Sequence, residues 1–62
     1  MDSTTLNLLT RDGMVTVLIV PALGADHYGE LHEAVCDAET ADELRAAVKM
    51  ACDRWGREVH FG

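Results

Sequence analysis

Residues 4–20 read TTLNLLTRDGMVTVLIV, two runs rich in β-branched and aliphatic residues separated by Arg11-Asp12-Gly13. Such runs suit extended strands, and Asp12-Gly13 is a pair that supplies the positive φ angles of a tight turn. The stretch therefore predicts a β-hairpin of residues 4–10 against residues 14–20. The second run is apolar nearly throughout, as suits a central strand. Pro21 ends it, because proline has no N–H to give to a sheet ladder.

Beyond the PALG segment the period changes. Tyr28, Leu31, Val35 and Ala38 recur at helical spacing, which predicts a helix over residues 26–38 with that side on the core. Thr40-Ala41-Asp42-Glu43 has the pattern of a capping box, in which the threonine hydroxyl and the Glu43 carboxylate each satisfy an orphan backbone donor. Asp42 and Glu43 also suit the positive end of the helix dipole. Leu44, Ala47, Val48, Ala51 and Trp55 continue the second helix to Gly56, which offers the left-handed conformation that commonly closes one. Residues 57–61, REVHF, then alternate as a short half-buried strand does.

The order is ββααβ. Two successive helices return the chain to its starting end, so the third strand runs antiparallel to the second. The expected fold class is α+β, a two-layer sandwich with a three-stranded, mainly antiparallel sheet and both helices on one face. The expected strand order is 1-2-3, with 3-1-2 as the alternative. At 62 residues the chain is expected to form one domain, residues 1–62, near the size where a single core is marginal, so both monomer and homodimer are open.

With 48% hydrophobic and 26% charged residues the composition is that of a globular chain. The run from Val17 to Leu23 is too short to span a bilayer, and the N-terminal residues lack a basic segment followed by an apolar one. A complete cytoplasmic protein with no membrane partner is expected. The two cysteines, Cys36 and Cys52, are then expected to be reduced, buried thiols.

Charge is distributed unevenly. Asp26, Glu30, Glu33, Asp37, Glu39, Asp42 and Glu43 fall within residues 26–43, where there is no Lys or Arg, and they account for the net charge of −6. At 100° per residue, Asp26, Glu30, Glu33 and Asp37 lie within about 60° of one another around the first helix. They form a ridge opposite the apolar side, its members on average roughly 5–6 Å apart along the axis, comparable to the spacing of phosphates on a nucleic-acid strand. Like charges at this spacing cost a few tenths of a kcal/mol per pair. Arg45, Lys49, Arg54 and Arg57 follow in the second helix, so the chain is polarised. One reading is an ordinary solvated face that favours solubility. The other is a surface that occupies the basic groove of a nucleic-acid-binding protein. Direct binding of nucleic acid is disfavoured, since that needs phosphates neutralised by Lys and Arg.

By its size, its acidic segment DHYGELHEAVCDAETADE and its lack of a catalytic signature, the chain resembles the small acidic anti-CRISPR proteins of phages and mobile elements. That resemblance implies a non-enzymatic inhibitor that binds a CRISPR effector subunit, a type I effector by preference, and blocks target DNA recognition. The seven carboxylates would then be the partner-binding residues. The rival expectation is a regulatory or antitoxin-like subunit that binds one host protein through an apolar surface or a sheet edge.

Other chemistry is weakly signed. His32, Cys36, Cys52 and His60 supply a formal zinc set, but no short Cys-x-x-Cys pair occurs, and no metal or other cofactor is expected. Neither cysteine sits in a Gly-rich or nucleophile-elbow context, so no catalytic residue is expected. Tyr28 and Trp55 are expected in the core, with His27 and Tyr28 as alternative rim contacts. PALGADHYG lacks a GxxxxGK pattern, which disfavours nucleotide binding.

Overall fold

The computed structural model describes residues 2–62. Strand β1 (Thr4–Thr10) pairs antiparallel with β2 (Gly13–Val20), helices α1 (Ala25–Cys36) and α2 (Ala41–Arg54) follow, and β3 (Glu58–Phe61) returns to pair antiparallel with β2. The strand order is β1-β2-β3, which settles the choice left open by the sequence.

The pleat divides each strand. Leu6, Leu8, Val15, Val17, Ile19, Val59 and Phe61 face the helices, with Val17 and Ile19 fully buried at the middle of the sheet. Helix α2 supplies Ala41, Leu44, Val48, Ala51 and Cys52 to the core, whereas α1 supplies Leu31 as its one buried residue. Thr4 is the buried polar residue, and its hydroxyl accepts the Leu23 N–H at 3.0 Å, which ties the segment after Pro21 to the start of β1.

The hairpin turn differs from expectation. Gly13 alone has positive φ, at 121°, and Asp12 does not. The Thr10 hydroxyl stabilises this turn by donating to the Gly13 carbonyl at 2.8 Å and accepting from the Asp12 N–H at 3.1 Å. The Asp12 side chain is thereby left to reach across to the helices, where its Oδ2 accepts the Ala41 N–H at 3.1 Å, at the start of α2.

That contact also alters the expected capping box. Thr40 accepts the Glu43 N–H at 3.2 Å, as the sequence predicts, but the Glu43 carboxylate makes no reciprocal hydrogen bond among the described residues. A carboxylate from the hairpin serves one of the remaining orphan donors instead. Loss of either oxygen, in Thr40→Ala or Asp12→Ala, is expected to cost about 1 kcal/mol in urea unfolding. A double variant that loses no more than one single variant would show that the two oxygens act as one coupled unit rather than independently.

At its other end α2 closes in a Schellman arrangement. Gly56 has φ 69°, its N–H donates to Asp53, and the Arg57 N–H donates to Cys52 at 2.9 Å. Arg57 therefore lies beyond α2 rather than on it. Helix α1 ends at Cys36, two residues before the expected boundary, and the Ala38 N–H turns back to the Val35 carbonyl at 3.1 Å. The chain must leave the helix early because Thr40 caps α2 in an extended conformation.

Candidate functional site

Helix α1 carries the carboxylate row. Its burial confirms the two sides inferred from spacing: Leu31 is buried and Val35 half-buried, while Asp26, Glu30, Glu33 and Asp37 are all exposed. None of these four acids is in a salt bridge among the described residues. Asp26 sits in the first turn, where the dipole favours it, and Asp37 stands at the C-terminal cap, where the dipole opposes it. No basic residue in the last turn offsets Asp37.

The other three acids of the segment do not extend the row uniformly. Glu39 pairs with Arg11 at 2.8 Å, and its carbonyl accepts the Arg11 N–H at 3.0 Å, so it fastens the hairpin turn to the corner between the helices. Asp42 pairs with Arg45 at 3.2 Å, one turn along α2. Glu43 has no ion-pair partner among the described residues, but it projects from the second helix. Of the seven acids, those without an ion pair among the described residues are thus the four of the α1 row and Glu43. Exposed ion pairs such as Arg11–Glu39 contribute roughly 0–1 kcal/mol each, yet they place a cation beside the acid and weaken the local field.

One base also flanks the row. Arg54 shares a shallow depression with Glu30, Glu33 and Ala34, without an ion pair to either glutamate. Sequence reasoning missed both this neighbour and the Arg11–Glu39 link, because each joins elements far apart in the chain.

The aromatics depart from expectation. Tyr28 is 44% exposed, since α1 lies beyond the edge of a narrow sheet and leaves the tyrosine over β1. There Tyr28, Gly29, Leu31, His32 and Val35 form an apolar groove with Leu6 and Leu8, about 430 Å³ in volume. His27 stacks on the half-buried Trp55 instead, with centroids 4.4 Å apart and planes 22° apart, which joins the start of α1 to the end of α2.

The cysteines divide, against the expectation that both are buried. Cys52 points into the core and Cys36 is exposed near the end of α1. Burial pushes the Cys52 thiol up, and the negative charge of Asp53 adds to the effect. A thiol held in this form is a poor nucleophile. Among the described residues, no group of three or more His, Cys, Asp or Glu is placed to hold a metal ion.

A disulfide reagent is expected to label Cys36 at once and Cys52 only on unfolding. Immediate reaction of both would contradict this packing. The sign of the pH effect follows: as pH rises past the ordinary thiol value of 9.0, the unfolded chain ionises Cys52 before the folded chain does, and stability falls.

No protein-family model matches this chain, and neither the curated proteins nor the solved structures yield a match. Among the described residues, no helix is long and apolar enough to cross a membrane.

Proposed function

We propose that the protein is a non-enzymatic inhibitor whose α1 face occupies a basic nucleic-acid-binding surface on a partner. One observation carries this reading: Asp26, Glu30, Glu33 and Asp37 stand in a row on one exposed helix face, without salt bridges among the described residues. A row of carboxylates without ion-pair partners on one helix face steers a basic partner and favours one register. The more specific form of the proposal is an anti-CRISPR activity, in which the row excludes target DNA from a type I effector complex. This form rests on the resemblance in size and charge. The test measures displacement of labelled target DNA from a purified type I effector complex as ionic strength is raised, with the middle of the row intact and reversed. Displacement that is absent, or indifferent to both changes, would overturn the proposal.

A further inference from the structure

The fold takes apart the formal four-residue zinc set and leaves one half of it together. Cys52 is fully buried in the core, and His60 projects from the sheet face opposite the helices, since its neighbours Val59 and Phe61 pack on the core. His32 and Cys36 remain, both exposed and both on α1. They stand four residues apart, a spacing that puts two side chains on one face of a helix with Cβ atoms about 5–6 Å apart. An imidazole nitrogen and a thiolate sulfur can then converge on one ion, at about 2.0–2.3 Å from each. Residues 32–36 read HEAVC, the spacing of the H-E-x-x-H zinc helix with a cysteine in place of the second histidine.

The surroundings favour a cation. Gly29, His32, Glu33 and Cys36 line one shallow depression of about 370 Å³, in which Gly29 has no side chain to cover the imidazole. Glu33 and Asp37 flank the pair, exposed and without ion pairs among the described residues. The negative end of the α1 dipole falls at Cys36, and no basic residue in the last turn offsets it. Arg54 lies on the other side of Glu33, in the depression it shares with Glu30 and Ala34.

We propose that His32 and Cys36 bind a thiophilic divalent cation of the zinc class, through one imidazole nitrogen and the Cys36 Sγ. Thiolate and imidazole select such an ion over calcium or magnesium, which take oxygen ligands. The thiol gives its proton to solvent as the bond from Sγ to the metal forms. Water fills the other positions, because among the described residues no third side-chain donor is placed to join the pair. Two donors are half of the four in a structural zinc site, so the affinity is modest, with Kd roughly 1–100 µM. An ion held in this way links neighbouring turns of α1, a helix with one buried side chain and no side-chain cap. The proposal is independent of the acidic row as a partner surface and survives if that reading fails.

The test is titration of the intact chain, reduced beforehand and held without oxygen, with Co²⁺ followed by Zn²⁺. The expected result is one cation per chain, with sulfur-to-cobalt charge-transfer absorption that Zn²⁺ removes. His32→Gln and Cys36→Ser are each expected to weaken Zn²⁺ binding by about tenfold or more, and Cys36→Ser to abolish the absorption. Both positions are exposed, so the circular dichroism spectrum should not change. His60→Gln, on β3, is the control and should bind as the unaltered chain does. Zn²⁺ is also expected to slow hydrogen exchange of the α1 amides. Absence of the sulfur-to-cobalt absorption would overturn the proposal. So would Zn²⁺ binding that either variant keeps in full, or that about 1 mM Ca²⁺ displaces, the mark of a diffuse acidic patch.

Discussion

Reversal of Glu30 and Glu33 to lysine is expected to abolish most DNA displacement from the effector complex, chiefly through association slowed about ten- to a hundredfold at low salt. These two residues are at the middle of the row, so a groove that follows it feels them most. Leu31 and Val35 are untouched by the change, and exposed substitutions usually alter stability by less than about 0.5 kcal/mol. Arg54 beside both positions makes the local reversal of sign stronger. The control must change net charge equally without loosening the fold. Asp12 is unsuitable, because it accepts a hydrogen bond from the start of α2. Asp2 and Glu58 are both exposed, and Glu58 has only an exposed contact to His60 Nε2 at 3.7 Å, so their reversal serves as the control. Equal losses in the two double variants would reduce the effect to net charge alone. If neither variant loses displacement, the row is an ordinary solvated face.

The other large effect is on stability. Ile19→Ala is expected to destabilise the protein by about 2–5 kcal/mol, measured by urea unfolding. Ile19 is fully buried on the central strand, between Thr4 and Val59, so nothing can collapse into the space without moving a paired strand. A domain of 62 residues has about 3–9 kcal/mol in all. The variant should therefore lose roughly half of its stability and unfold at a much lower urea concentration. Leu9→Ala, at a side chain 78% exposed on the open face, serves as the comparison and should change little in the monomer. Similar losses in both would contradict the two-faced sheet.

What the sequence revealed and what it hid have physical causes. The hairpin, the Thr40 cap and the Gly56 stop were legible because each depends on residues within a few positions of one another. The two sides of α1 were legible from period alone, with Leu31 inside and the four acids outside. The end of α1 was not, because no glycine or proline marks it and the spacing of Ala38 continues the period. The fate of Glu39 and the second use of Asp12 were hidden for another reason. Both depend on where the hairpin turn lies against the helix corner, which is a property of the packed layers. Tyr28 was misplaced on the same account, since periodicity names a side of a helix but not how far the sheet beneath it extends.

The two helices are anchored unequally, and that inequality bears on motion. Helix α1 starts at Gly24 without a side-chain cap, contains Gly29, ends without a basic residue and seats one fully buried side chain. Helix α2 has a threonine cap, acids at its first turn, an arginine at its last and five buried residues. Local opening free energies follow such differences, so α1 is expected to open more readily than α2, with less protection of its amides in hydrogen exchange. Its opening also relaxes the repulsion along its acidic face. A cationic groove reverses that balance by neutralising the face, and it favours the seated helix by mass action. Under the proposed function, recognition and the ordering of α1 become one equilibrium, and the carboxylates that weaken the free helix are the groups through which a partner would hold it in place.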